Sequence, residues 1–245
     1  MSEASFRFTH AITRRPPRSA VMGLRAENQG DPDIDTMLVH HQQYVEAMEG
    51  AGVSVTVLDA LEEFPDSLFV EDTALCLPEV AVVLRPGAPT RAGESAAMAP
   101  ALASVYSTVI ELVGPGTIEG GDILTTGREV LVGLSERTTL AGVEELSKAL
   151  APWGYSVRGV ETPAGVLHFK TESSLLDDTT ILATRQLADS GAFEGYTVVE
   201  VQPGEEAQGC LRMPKDAPGL PGDSRPCSRS RFFRGGTAQL GVPQN

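Results

Sequence analysis

Phe69-Val70-Glu71-Asp72-Thr73 and Ile118-Glu119-Gly120-Gly121-Asp122 place carboxylates beside apolar residues or glycine, at expected strand ends. Leu167-His168-Phe169-Lys170 adds a histidine in an apolar, strand-like setting. Acids with one histidine suit a site that grips a cation and moves protons. Guanidinium is the cation that best meets several planar acceptors at once. Glu71 and Asp72 are adjacent, so on a strand they face opposite sides. With Asp66, in the loop after Pro65, they would form a shallow acidic cup; the alternative is three solvated loop acids. Glu119 precedes paired glycines, which allow a sharp turn and close approach to a ligand. It could orient the histidine or take a guanidinium nitrogen, or be an ordinary hairpin acid. His168 has a pKa range useful for acid–base work, although a lone histidine in an apolar strand is more often a satisfied core residue. Arg85 and Arg137 both follow strands and could clamp a carboxylate bidentately, the alternative being surface arginines.

No credible nucleophile accompanies these groups. Cys76 lies inside an apolar strand and reads as a small core residue. Cys210 ends an acidic stretch, and nothing positions Cys227 in its basic surroundings. The isolated cysteines give no zinc-ligand spacing, so no metal site is expected. Glycine-rich phosphate cradles are absent.

The elements that must position these residues follow from periodicity. Phe6–Ile12 alternates as a strand. Asp31-Pro32 reads as a helix start, and Ile34, Met37, Leu38, His41, Tyr44, Val45 and Met48 follow at helical spacing until Gly50 and Gly52. Val53–Leu58 is a strand; Thr73–Leu77 and Val80–Leu84 are two more. A helical stretch from about Arg91 to Tyr106 leads to a strand at Thr108–Leu112. The pattern recurs with strands Asp122–Thr125 and Glu129–Val132, helix Arg137–Leu150 and strand Tyr155–Val160. Val166–Lys170, Thr179–Ala183 and Tyr196–Val201 are read as further strands. A strand–strand–helix–strand unit repeating every 45–50 residues or so suggests a closed α/β propeller; an open α/β sheet is the alternative.

A chain of 245 residues with 41% hydrophobic content can bury a large core. The net charge of −14 disfavours nucleic acid and anionic membranes as partners. Three cysteines argue against a disulfide framework. No apolar run is long enough for a membrane span, and the N-terminus carries no apolar signal core, so a cytoplasmic setting is expected. From Leu211 onward the chain changes: six Lys or Arg, two Asp or Glu, five Pro and five Gly, with no period. Such a segment buries little. The expectation is a domain over residues 1–210 and a divergent, disordered basic tail over 211–245.

In this order, the segments resemble the dimethylarginine dimethylaminohydrolase family of guanidino-modifying enzymes. The matching stretches are Arg18–Leu24, Phe64-Pro65-Asp66 through Asp72, Arg85-Pro86-Gly87, Ile118–Asp122, Gly133–Thr138 and Leu167–Lys170. The resemblance implies a five-bladed α/β propeller of the pentein type, built from ββαβ repeats, with an incomplete last blade. It implies hydrolysis of N-omega-methylated arginine to citrulline and dimethylamine, with no metal or organic cofactor. Asp66, Glu71 and Asp72 would serve the guanidinium end and Phe69 would cover it. Glu119 would hold a substrate nitrogen and orient His168, which would protonate the departing amine and then activate water. Arg85 and Arg137 would bind the α-carboxylate, and the loop at Leu24 would close over the α-amino group.

The family's nucleophile is a cysteine in a Gly-Gly-x-x-Cys setting near the C-terminus. Here the tail's Gly235-Gly236-Thr237-Ala238-Gln239 has glutamine at that place. Because the surrounding tail does not match, the correspondence reads as coincidence, and the expected activity is impaired. An arginine deiminase, an amidinotransferase-like enzyme and a non-catalytic guanidino-ligand or protein-binding relative are the alternatives.

Overall fold

Runs such as Val80–Leu84 and Val130–Val132 are apolar at every position, which suits strands covered on both faces. The computed structural model of the protein describes residues 8–25, 30–201 and 240–243 and shows how both faces are covered. Its elements are β1 (Phe8–Arg14), α1 (Ile34–Gly50), β2 (Ser54–Leu58), β3 (Ala74–Cys76), β4 (Ala81–Val83), α2 (Ala99–Ala103) and β5 (Val109–Glu111). They continue with β6 (Ile123–Thr125), β7 (Val130–Leu134), α3 (Leu140–Leu150), β8 (Val157–Glu161), β9 (Ser173–Asp177), β10 (Thr180–Ala183), α4 (Arg185–Ala188), β11 (Thr197–Glu200) and β12 (Leu240–Pro243).

Three-stranded sheets form in the orders β3-β4-β5, β6-β7-β8 and β9-β10-β11, each first pair antiparallel and each second pair parallel. A helix lies between the second and third strand of each unit. In the remaining sheet, β12-β1-β2, a strand from far along the chain takes the first place, with Leu240 opposite Ile12. This is the repeated ββαβ unit of an α/β propeller, with four blades within the described residues. The expected incompleteness of the last blade falls on residues 202–239, outside them. So does most of the expected disordered tail. Leu240–Pro243, however, are a strand, although the tail shows no strand period.

The blades are sealed by alternation along the central strands. Ala81 and Val83 of β4 join Ile12, Val70, Met98 and Leu102 on one side. Val80, Val82 and Leu84 join Ile123, Val130, Val132 and Leu146 on the other. In β7, Leu131 turns the opposite way to its neighbours and packs with Phe169, Leu175 and Ile181. Each fully buried aliphatic side chain contributes about 2 kcal/mol.

Several local expectations are corrected. Helix α1 starts at Ile34, capped by Asp33, whose carboxylate accepts from the amides of Asp35 and Thr36. The stretch from Arg91 to Tyr106 is not one helix: 3-10 turns at Pro89–Arg91 and Glu94–Ala97 precede the short α2, which has Pro100 in its first turn. Helix α3 begins at Leu140, three residues after Arg137, with Thr139 as its cap. Val166–Lys170 is not a strand; Phe169–Thr171 is a 3-10 turn, and the strand is β9, further on. No helix among the described residues is long and apolar enough to cross a membrane.

Candidate active site

Three 3-10 turns, Val70–Thr73, Gly120–Asp122 and Phe169–Thr171, each lead into the first strand of a blade or lie just before it. The residues that enter them are Phe69, Glu119 and His168, so two proposed catalytic groups occupy equivalent positions of neighbouring repeats. Glu71 and Asp72 therefore lie on a turn, not a strand, and turn backbone decides where they point. The turns interlock. Gly121 N donates to Asp72 Oδ1 at 3.0 Å, and Phe169 N donates to Asp122 Oδ1 at 2.9 Å. The glycines are required by proximity: a Cβ on Gly120 would stand 1.9 Å from the Glu71 carbonyl oxygen. One on Gly121 would meet Asp72 Oδ1 at 2.8 Å and the His168 ring at 2.9 Å.

Glu119 is fully buried. Its Oε1 accepts from Gly87 N at 2.9 Å and Ala88 N at 3.3 Å, with Arg137 Nη1 at 3.7 Å. Its Oε2 makes no hydrogen bond and lies 3.4 Å from His168 Nε2. On the ring's other side, His168 Nδ1 stands 3.5 Å from Asp122 Oδ1, long for a hydrogen bond. Asp122 is itself held, its Oδ2 accepting from Ser135 and Thr138 hydroxyls at 2.7 Å each. Acceptor atoms of Asp72, Glu119 and His168 lie within 4.8 Å of one another, a spacing that suits a metal ion or a planar cation. One of these atoms, Glu119 Oε2, is buried without a hydrogen-bond partner.

Burial, then the charge of Asp72, pushes the Glu119 carboxyl up, against the opposing pull of His168 and Arg91. Burial alone would depress His168, but Asp122, Asp72 and Glu119 outweigh it and raise the imidazole. Both raised groups favour a bound proton in the folded state. That stabilisation is complete below the unfolded values, near 4.5 and 6.5, and is lost as pH rises through the folded ones. Denaturant unfolding is therefore expected to show stability falling from about pH 4.5 upward in the wild type, with a further fall above about pH 6.5 that is lost in His168→Ala. Parallel curves for the two proteins would remove His168 from this account.

The remaining expected site residues divide. Asp66 is buried, and both its oxygens accept from Leu24 N, at 3.1 and 3.2 Å, which pins the Arg18–Leu24 loop. Leu24 itself is half exposed. Glu71 pairs with Lys170. Phe69 lies under the guanidinium of Arg91, 6.0 Å from its ring centre. Arg137 reaches the cluster through Glu119. Arg85 is not brought there: its guanidinium is spent on the carbonyls of Gly116 and Leu112 and on Glu145. Cys76 is also distant in kind, since burial pushes its thiol up to about 12; such a group is a poor nucleophile. Cys210, Cys227 and Gln239 lie outside the described residues.

Sequence reasoning missed Arg91. It is buried, bonded to Asp72, Glu94 and the Phe69 carbonyl, and it locks the Asp72 carboxylate in place. Burial opposes its charge, but Glu94 and Asp72 raise its pKa further. The Arg91–Glu94 spacing was the available signal. Asp122, which the sequence pattern reads as the start of a strand, is the histidine's second acidic neighbour.

Comparison with known proteins gives consistent findings. A family model for arginine deiminase matches residues 96–155. The chain is 35% identical over 201 residues to the N(G),N(G)-dimethylarginine dimethylaminohydrolase of Pseudomonas aeruginosa, covering 82% of this chain and 78% of that protein. It is 35% identical over 180 residues to the enzyme of the same name from Streptomyces coelicolor, covering 73% and 69%. The structure of a cysteine-to-serine mutant of the Pseudomonas aeruginosa protein, complexed with citrulline, superposes with a TM-score of 0.76 at 35% identity, covering 80% of this chain and 77% of that one.

Proposed function

The chain belongs to the dimethylarginine dimethylaminohydrolase family, and we propose that its three turns form a guanidinium pocket for hydrolysis of N-omega-methylated arginine. The observation that carries this reading is Glu119 Oε2, a buried carboxylate oxygen without a hydrogen-bond donor, 3.4 Å from His168 Nε2 and clustered with Asp72. A guanidinium edge supplies the missing donors and the compensating charge at once. Asp72 and Glu119 then take the guanidinium nitrogens, Arg91 holds Asp72, and Arg137, beside Glu119, would bind the α-carboxylate. The Leu24 loop, latched on Asp66, would close over the α-amino group. His168, between Glu119 and Asp122, gives its proton to the departing dimethylamine and takes one from the incoming water.

The chemistry also needs a nucleophile at the guanidinium carbon. In the other three sheets the first strand follows a site-forming turn. Strand β12 holds that place in the sheet of β1, and the residue directly before it is Gln239. By position in the sequence alone, Gly235–Gln239 is the candidate counterpart of the family's Gly-Gly-x-x-Cys, with glutamine at the cysteine's place. The same observation favours a second reading, a guanidino-binding protein with little or no turnover.

Titration calorimetry with asymmetric dimethylarginine and with citrulline, followed by assay of citrulline release, tests both. Binding of both ligands with release below detection is expected for this chain. Failure of a folded protein to bind either ligand would refute the pocket. Release of ornithine or ammonia from arginine would point to an amidinotransferase or a deiminase instead.

A further inference from the structure

The Gly120–Asp122 turn is tied to both of its neighbours by backbone amides. The two outer turns are joined by an ion pair, that of Lys170 with Glu71, partners 99 residues apart in sequence. Lys170 is two residues after His168, and Glu71 directly precedes Asp72. Each sits in a turn closed by its own backbone bond: Asp72 N to Phe69 O, and Thr171 N to His168 O. The Lys170 and Glu71 side chains are 25% and 36% exposed, so the pair is partly in solvent, unlike the buried Asp72 and Glu119.

Resting on the guanidinium-pocket reading, we infer that Lys170 is a positioning residue: its ammonium, held on Glu71, closes the ring of three turns and fixes the spacing between Asp72 and His168. A surface ion pair at a flexible site contributes little. This one joins two short, internally bonded turns, so its geometric consequence reaches groups that it does not touch. It also leaves Asp72 and Glu119 as the guanidinium acceptors, since Glu71 would have to leave Lys170 to serve as one.

The test is the titration of the His168 imidazole by NMR in the ligand-free protein, for Lys170→Met, Glu71→Gln and the double variant. The groups facing His168 are Glu119, Asp122 and Asp72. Two independent charges would act oppositely: loss of Lys170 would raise the imidazole pKa, and loss of Glu71 would lower it. A bridge predicts that both single variants lower it, because the turn drifts from those carboxylates, and that the double variant matches either. Opposite shifts, or none, would overturn the proposal.

Calorimetry then reads the slot itself. Each single variant should weaken citrulline and asymmetric dimethylarginine alike, by about tenfold, with Lys170→Arg restoring both. Tighter binding of the cationic ligand alone in Lys170→Met would make Lys170 a competitor for Glu71 and refute the positioning role. Absence of ligand binding by the wild-type chain would remove the pocket reading while leaving the NMR result to decide on the bridge.

Discussion

Glu119→Ala is expected to destabilise the fold by about 3 kcal/mol and to abolish binding of asymmetric dimethylarginine, whereas Glu119→Gln should spare the fold and still lose the ligand. The alanine variant leaves the amides of Gly87 and the buried Ala88 without an acceptor and leaves the partly exposed Arg137 without its carboxylate neighbour. Glutamine keeps an oxygen for those amides. Its amide nitrogen, however, replaces Oε2 opposite His168, and a donor there faces a cation that also brings only donors. The expected loss of affinity is about a hundredfold, the scale of one charged hydrogen bond in a buried site. Denaturant melts and calorimetry on the same preparations separate the two effects. Unchanged affinity in Glu119→Gln would reduce Glu119 to a structural anchor for the Gly87–Ala88 loop.

The second large effect is a gain. Gln239→Cys is expected to raise citrulline release from asymmetric dimethylarginine by at least about a thousandfold, within the range that a missing nucleophile costs other covalent hydrolases. The introduced thiolate would bond to the guanidinium carbon. The bond from that carbon to the dimethylamino nitrogen would break, and His168 would protonate the amine as it leaves. Water, deprotonated by the same histidine, would then add to the carbon, and the carbon–sulfur bond would break to return the thiolate and free citrulline. His168→Ala in the Gln239→Cys background should abolish the gained release, and mass spectrometry should trap the adduct at residue 239. Release that rises equally in a Gln239→Ser control, or an adduct found on Cys210 or Cys227, would show that position 239 is not the nucleophile's place.

The side-chain types of the proposed pocket stand out in the sequence; how they come together does so only in part. Glu119 and His168 stood out because each interrupts an apolar segment, and paired glycines announced a close approach. What stayed hidden is that both sit at the entrance of the same kind of turn. A three-residue 3-10 stretch is too short to show a period, so Phe169–Thr171 was absorbed into an expected strand. Arg85 attracted a role because it follows a strand. Its true partners, Gly116, Leu112 and Glu145, are 27 to 60 residues away and invisible to local reading. Arg91 escapes local reading for the same reason: its partner Asp72 lies 19 residues earlier. The ββαβ repeat was readable because strands such as β4 and β7 are buried on both faces, whereas β12 has four residues in a segment rich in proline and glycine.

The pairing of β12 with β1 also has a consequence for synthesis of the protein. The first strand to leave the ribosome acquires its antiparallel neighbour only when residues 240–243 emerge, more than two hundred residues later. At ordinary translation rates that interval lasts at least about ten seconds. Throughout it β1 can pair with β2, but its other side presents free backbone groups, able to accept any passing strand. Chaperone occupancy on the nascent chain should therefore persist until the ring closes.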